Sequence, residues 1–402
     1  MRTRKLVFCE FGFLLSFIEM QPSMLEPNDE SINRMFNWVS LYKFISKSDI
    51  FLDVSDRVFK EKVESYQWLK QLWKKATAGE CSINCAYGKF PSFESIASST
   101  ITSEALLNAV YLTVNDTEKC LRIGRNLGVL VINPNLVFES QHLYKDNGTA
   151  FPSPNAQKWN FMSPLSSMCL GINVSNTMLI VDPYLLRDNK NDGPTYQDKV
   201  DWNLKPILKE LLPQKLTNDI VYHIYIFSGD KDDGFDIYTQ YNYVKNVITS
   251  IRKELNFTLT IFYKCENFHD RSIITNNVFI SCGLGFDVFN KKGVARKSTM
   301  VSIIYPYLQS NLEWGDASYS NLLKDVRKVF ENRLNNEYNC IGESSSTCRL
   351  FDKYEIADNR SERSGEIENE NFTTIIIPHS NVKIVDKIDL SKFDSRNGKR
   401  RW

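Results

Sequence analysis

The chain has 402 residues, 42% hydrophobic and 12% aromatic, with 49 basic and 48 acidic side chains and a net charge of +1. So much apolar material excludes general disorder, and the length exceeds one ordinary core, which points to two domains. The near-zero charge excludes a global basic field, so any contact with a polyanion must be local.

The first segment, Met1–Met20, has the outline of a signal peptide, but Glu10 interrupts the apolar stretch and no small-x-small site follows. It reads as a strand at Lys5–Cys9 running into a helix. Further strands are expected at Ile50–Val54, Ala109–Val114 and Val129–Ile132, with helices at Glu30–Ser46, Arg57–Ala78 and Glu118–Asn126. This alternation predicts an α/β layer with a parallel sheet over residues 1–140. A polar linker is expected at 141–160.

The second domain, 161–340, opens on the apolar run Met178–Leu186, which contains Asp182-Pro183. A helix at Leu204–Leu212 follows, then strand Ile220–Ser228, an amphipathic helix Thr239–Leu255, strand Thr258–Lys264, strand Ser272–Ser281 and a helix Asn321–Arg333. A mobile polar loop at 341–372 and a strand at Thr373–Pro378 with a basic tail complete the chain. The nine cysteines form no ordered framework, which suits reduced, buried thiols. No segment reaches the roughly 18 apolar residues of a membrane span, so a cytoplasmic protein is expected.

One motif carries chemistry. His269-Asp270-Arg271, Asn276 and Gly283-Leu284-Gly285 follow the spacing H-x-R-x4-N-x6-G. Residues at i and i+2 of a strand share a face, so His269 and Arg271 can address one phosphate. The run Asn290–Lys297 adds Lys291, Lys292, Arg296 and Lys297, the best basic patch in the chain. Read as structure alone, His269 is a satisfied strand-end histidine, Arg271 pairs Asp270 or Asp287, and the basic run is a solvated loop.

The spacing is close to the H-x-K-x4-D-x6-G-S-x-N signature of the phospholipase D superfamily. With Gly283-Leu284-Gly285-Phe286-Asp287-Val288-Phe289 it resembles the phospholipase D-like C-terminal domain of MIT-domain proteins and bacterial relatives, over roughly Ser163 to Asn335. The resemblance implies His269 as nucleophile, Arg271 as phosphate clamp and Asn276 as orienting group, with Gly283 and Gly285 in the phosphate-binding turn and no cofactor. Arg271, Asn276 and Leu284 replace lysine, aspartate and serine, which moves the expectation from cutting toward holding. A second stretch, His379-Ser380-Asn381 with Asp386, lacks the cation and the glycine turn. A catalytic site would therefore be completed more simply by a homodimer.

In the first domain, the strand ending at Asn115-Asp116, the following helix and the strand from Val129 look like the C-terminal half of PIN-like nuclease domains. That resemblance implies Glu10, Asp53 and Asp116 as ligands of Mg²⁺, with Glu104 a further member. The alternative for Asp116 is a helix N-cap. Together these readings predict a phosphate-recognising protein acting on nucleic acid phosphodiesters, a nuclease or degenerate nuclease, with a role in bacterial antiviral defence by association. The rival is a non-catalytic module or scaffold that binds phospholipid or a nucleic acid backbone.

Overall fold

A computed structural model describes residues 5–22, 29–85, 107–139, 149–150, 159, 174–188, 193–217, 220–229, 236–263, 265, 268, 271–304, 322–329, 340–342, 355–358 and 373–376. Two units emerge. The first comprises Met1–Gly124, Val129–Glu139 and Asp352–Trp402, and the second Arg125–Gly128 and Ser140–Phe351.

The first unit holds β1 (Leu6–Cys9), α1 (Phe11–Glu19), α2 (Asp29–Ile45), β2 (Asp49–Leu52), α3 (Asp56–Ser65), α4 (Gln67–Thr77), β3 (Ser82–Cys85), β4 (Val110–Leu112), α5 (Thr117–Leu127), β5 (Leu130–Ile132) and α6 (Pro134–Glu139). Its five strands pair in the order β3-β2-β1-β4-β5, all parallel. The expected parallel α/β layer is therefore present. Leu6–Cys9 is buried throughout, as a strand covered on both faces must be. Phe8 stacks against Tyr111 at 5.3 Å and packs on Phe51 at 5.5 Å, tying β4, β1 and β2 together through one row of rings.

The single helix expected at Arg57–Ala78 is two, broken at Tyr66, which is extended (φ −121, ψ 116). The buried positions explain the break. A stripe through Phe59 and Val63 would continue near 66 and 70, yet the buried residues are Leu69, Leu72 and Ala76. The extended residue resets the phase so that both helices bury an apolar face. No proline or glycine marks this in the sequence.

The second unit holds β6 (Thr149–Ala150), β7 (Thr177–Val181), α7 (Tyr196–Lys199), a π-helical turn (Val200–Leu204), α8 (Lys205–Leu211), β8 (Tyr222–Phe227), α9 (Ile237–Ile251), β9 (Phe257–Phe262), β10 (Ser272–Thr275), β11 (Phe279–Cys282), β12 (Met300–Ile304) and β13 (Cys340–Gly342). Its sheet runs β13-β9-β8-β7-β10-β11-β12-β6. Strands β7, β8 and β9 are parallel; every other pairing is antiparallel.

Three differences from expectation follow from pairing. The run Ser272–Ser281 is a hairpin, because Ile274 pairs with Phe279 and the Asn276-Asn277 turn closes through Thr275 N–H donating to Val278 O at 2.8 Å. Thr149–Ala150, within the expected linker, pairs with β12. A strand β14 (Glu355–Asp358) lies within the expected mobile loop, antiparallel to β15 (Thr373–Ile376).

One face of the second sheet packs Leu179, Val181, Tyr225, Phe227, Phe262 and Ile274 against Leu322, Val326 and Val329 of the helical stretch 322–329. Helices α8 and α9 are locked by Arg252, the residue that ends α9. Its guanidinium donates to Leu212 O at 3.0 Å and to Lys209 O. Among the described residues, no helix is long and apolar enough to cross a membrane. The described cysteines are free, and all but Cys340 are buried.

Candidate phosphate site

The carboxyl ends of β7, β8 and β9 meet the start of β10 in one transverse row. Register continues one step past the strands: Asp182 N–H donates to Phe227 O (3.1 Å), Ser228 N–H to Phe262 O (2.8 Å) and Cys282 N–H to Arg271 O (2.9 Å). Val181 pairs with Ser272, so the next residues outward, Asp182 and Arg271, are also neighbours. Tyr263, Ser228, Asp182, Arg271 and Cys282 therefore lie side by side, and adjacent residues in such a row project to the same face.

Asp182 is the hub of this row and is 1% exposed. Its Oδ1 accepts Tyr184 N–H at 2.9 Å, and its Oδ2 accepts Phe286 N–H at 2.7 Å. Burial raises its pKa, opposed by those two N–H groups and then by Arg271 and Lys297. The carboxylate thus ties the Asp-Pro-Tyr turn to the glycine turn. Gly285 sits between them at φ +85, where an added Cβ would lie 2.8 Å from Asp182 Oδ2. Only glycine fits that position without strain. Gly283 is different: an added Cβ would meet nothing closer than Thr299 Oγ1 at 3.7 Å.

Arg271 reaches over this turn. Its Nη1 donates to Gly283 O at 3.1 Å, and its guanidinium lies 5.1 Å from the centre of the Tyr184 ring. Its Nε is buried without a hydrogen-bond partner.

A second carboxylate, Asp287, gathers three cations: Arg296 through Nη2, Lys297 Nζ at 3.5 Å and Lys199 Nζ at 4.0 Å. Lys199 is 1% exposed and donates to Arg187 O at 2.6 Å and Tyr184 O at 3.1 Å. Burial pushes its pKa down; Asp287 and Asp182 support its charge, while Lys297 and Arg296 oppose it. The four cations Arg271, Lys199, Arg296 and Lys297 thus stand against two carboxylates at one strand end. The surplus is positive and fixed in place.

The basic run is folded back as a turn. Asn290 Oδ1 accepts the N–H groups of Lys292 (2.9 Å) and Val294 (3.1 Å), and Arg296 N–H donates to Val288 O at 2.7 Å. Lys291 and Lys292 are exposed beside it. Asn203 fixes the approach from below. From the π-helical turn, it accepts Val288 N–H at 3.1 Å and Phe289 N–H at 2.8 Å, and donates to Phe289 O at 3.1 Å.

The sequence therefore found Arg271, Gly283, Gly285, Arg296 and Lys297 at one place. It missed Lys199 and Asn203, whose signal was their i, i+4 spacing on a helix that starts earlier than the expected Leu204. Asn276 sits at the far end of β10 from Arg271, where its Oδ1 accepts the N–H groups of Asn176 and Thr177, both at 3.0 Å. In that place it anchors the start of β7 and does not face the Arg271 row. His269 and Asp270 lie outside the described residues, as do Glu104, His379, Ser380, Asn381 and Asp386.

In the first unit, Glu10, Asp53 and Thr113 form a comparable row at the carboxyl ends of β1, β2 and β4. The register continues through Asp53 N–H to Cys9 O (3.3 Å) and Glu10 N–H to Leu112 O (2.9 Å). This is the point where strand order reverses, the usual ligand crevice of doubly wound sheets. Glu10 Oε2 is occupied by Val114 N–H at 2.8 Å. Asp116 Oδ1 accepts Lys119 N–H at 2.8 Å, the expected N-cap of α5. Asp53 is exposed. Among the described residues, no three His, Cys, Asp or Glu side chains come together as a metal site.

No protein-family model and no curated protein matches the chain.

Proposed function

We propose that the second unit holds a phosphodiester at this strand end and that the protein acts on nucleic acid through its backbone. The observation that carries the reading is the surplus of fixed positive charge: Arg271, Lys199, Arg296 and Lys297 against Asp182 and Asp287. Arginine offers a planar fork for phosphate oxygens, and the row beside it supplies a rigid base. His269, two residues before Arg271, would act as the nucleophile on phosphorus if the protein cuts.

The test measures binding and cleavage of single- and double-stranded DNA and RNA, with Mg²⁺ or EDTA. Binding that weakens with salt and is lost in Arg271→Gln supports the reading. Metal-independent cleavage abolished by His269→Ala adds catalysis; metal-dependent cleavage abolished by Asp116→Ala moves the chemistry to the first unit. Absence of binding to all four nucleic acids refutes the reading.

A second reading rests on a separate observation. Leu284, Val294 and Met300 are 52%, 58% and 60% exposed around the same cations. Apolar tips beside lysines suit an anionic lipid surface. Co-sedimentation with phosphatidylserine vesicles, absent from phosphatidylcholine vesicles, would favour it over nucleic acid.

A further inference from the structure

Tyr184 has no place in the motif, yet its ring stands in the open beside the cations. Among the described residues of the second unit, two aromatic rings are exposed, Tyr184 at 48% and Tyr238 at 66%. Of these, only Tyr184 lies against a described cation of the site: the Arg271 guanidinium sits 5.1 Å from its ring centre. An exposed ring next to an arginine is a pair on which proteins stack unpaired bases.

Tyr184 is held everywhere but at the ring. Its N–H donates to Asp182 Oδ1 at 2.9 Å, and its carbonyl accepts Lys199 Nζ at 3.1 Å and Arg187 N–H at 3.3 Å. Pro183 before it has a fixed φ and accepts Gly229 N–H at 3.0 Å. From α9, Gln240 closes the far side of the turn by donating to Leu186 O at 2.6 Å. The main chain is therefore already ordered, and a flat partner gains contact area at little conformational cost.

The inner side of the site is closed. The Asp182 carboxylate, capped by the Tyr184 and Phe286 N–H groups, lies between Arg271 and Ser228, and Ser228 Oγ and Arg271 Nε are buried there without hydrogen-bond partners. The Gly285 turn rests against both Asp182 and Arg271. A ligand must meet Arg271 from the outer side, where the Tyr184 ring is. A phosphate on the guanidinium and a base on the ring are groups separated by one sugar. Paired bases are stacked inside a duplex and do not reach such a ring without unpairing.

We infer that Tyr184 is a stacking platform for an unpaired base whose neighbouring phosphate lies on Arg271, so that the site takes single-stranded nucleic acid in preference to duplex. This rests on the phosphodiester reading proposed above and narrows it to one substrate class.

The experiment uses the full chain with a fluorescein-labelled single-stranded DNA 20-mer, the same strand in a duplex, and a 20-mer of abasic sites. The wild-type protein should bind the base-bearing single strand about tenfold more tightly than the abasic strand, the effect of one stacked base. Tyr184→Ala should lose that factor on the base-bearing strand and nothing on the abasic strand, while Tyr184→Phe, which keeps the ring, should retain it. Duplex should bind more weakly than the single strand and be indifferent to Tyr184→Ala. Equal wild-type affinity for the base-bearing and abasic strands overturns the inference without recourse to any variant, and so does duplex binding as tight as single-strand binding. Equal losses for Tyr184→Ala on both single strands overturn it too, since the ring would then only hold Arg271 in place. In each of these cases, loss of binding in Arg271→Gln leaves the proposed function standing. Undiminished binding by Arg271→Gln overturns the proposed function itself.

Discussion

Gly285→Ala tests the geometry of the candidate site most directly, because the neighbouring Gly283→Ala provides its control. At Gly285 the backbone lies at φ +85, and the new Cβ would sit 2.8 Å from Asp182 Oδ2 and 3.5 Å from Arg271 Cγ. Holding alanine in the left-handed region costs about 1–2 kcal/mol. Asp182 must also retreat, which loosens its 2.7 Å bond from Phe286 N–H. A charge-assisted bond of that kind contributes about 1.5–3 kcal/mol. The two together give a loss of about 3–4 kcal/mol, or a fall in Tm on the order of 10 °C for a unit of this size. At Gly283 the new Cβ meets only Thr299 Oγ1, at 3.7 Å. That variant should stay within about 0.5 kcal/mol of the parent. Guanidinium unfolding followed by tryptophan fluorescence reads the difference, since Trp159 packs 5.7 Å from Phe286 and 5.5 Å from Phe289. Equal shifts for the two variants would refute the role assigned to the Asp182–glycine-turn junction.

Three further outcomes are expected. Asn203→Ala strands the Val288 and Phe289 N–H groups in the interior and should destabilise the second unit by about 2–4 kcal/mol in a urea titration; a loss under 1 kcal/mol would deny its anchoring role. Asn276→Ala should cost a similar ~2–4 kcal/mol while the folded fraction still binds the DNA 20-mer with parental affinity, because its bonds go to Asn176 and Thr177; selective loss of binding would restore Asn276 to the site. In the first unit, burial lowers the Lys5 pKa from 10.5 to about 7. Between those values the unfolded chain binds the extra proton, so stability rises with pH, by about 1 kcal/mol per pH unit. Burial pushes the Cys85 and Cys120 thiols from 9.0 up to about 12, so above pH 9 the unfolded chain loses protons first and stability falls. Urea midpoints from pH 6 to 10 under reductant should therefore peak near pH 9, and Lys5→Met should flatten the rising limb alone; an unchanged rising limb would rule out Lys5 as its cause.

Several features were legible without coordinates, each for a local reason. Predominantly apolar runs such as Leu6–Cys9 and Tyr222–Phe227 mark strands buried on both faces, and they emerged where expected. The alternation of such runs with helices in the first unit predicted its parallel sheet. Asp116 before Thr117 and Glu118 announced an N-cap, and the cap is present. The failures were of another kind. The break at Tyr66 and the hairpin turn at Asn276-Asn277 depend on which face must be buried and which strand waits alongside, and neither is encoded within a few residues.

The same division holds at the site. By itself, the sequence determined that a cation and two glycines follow one another at a strand end, and that a basic run comes shortly after. Tertiary structure alone decided what surrounds them. Lys199 and Asn203 arrive from a helix, Asp182 from β7 and Ser228 from β8, residues separated from Arg271 by between 43 and 89 positions. Register across the parallel strands sets them side by side. Burial then turns that neighbourhood into a small, fixed field in which Arg271 Nε and Ser228 Oγ have no protein partner. Spacing along a chain specifies which groups share a face; only packing between distant strands determines which groups meet there.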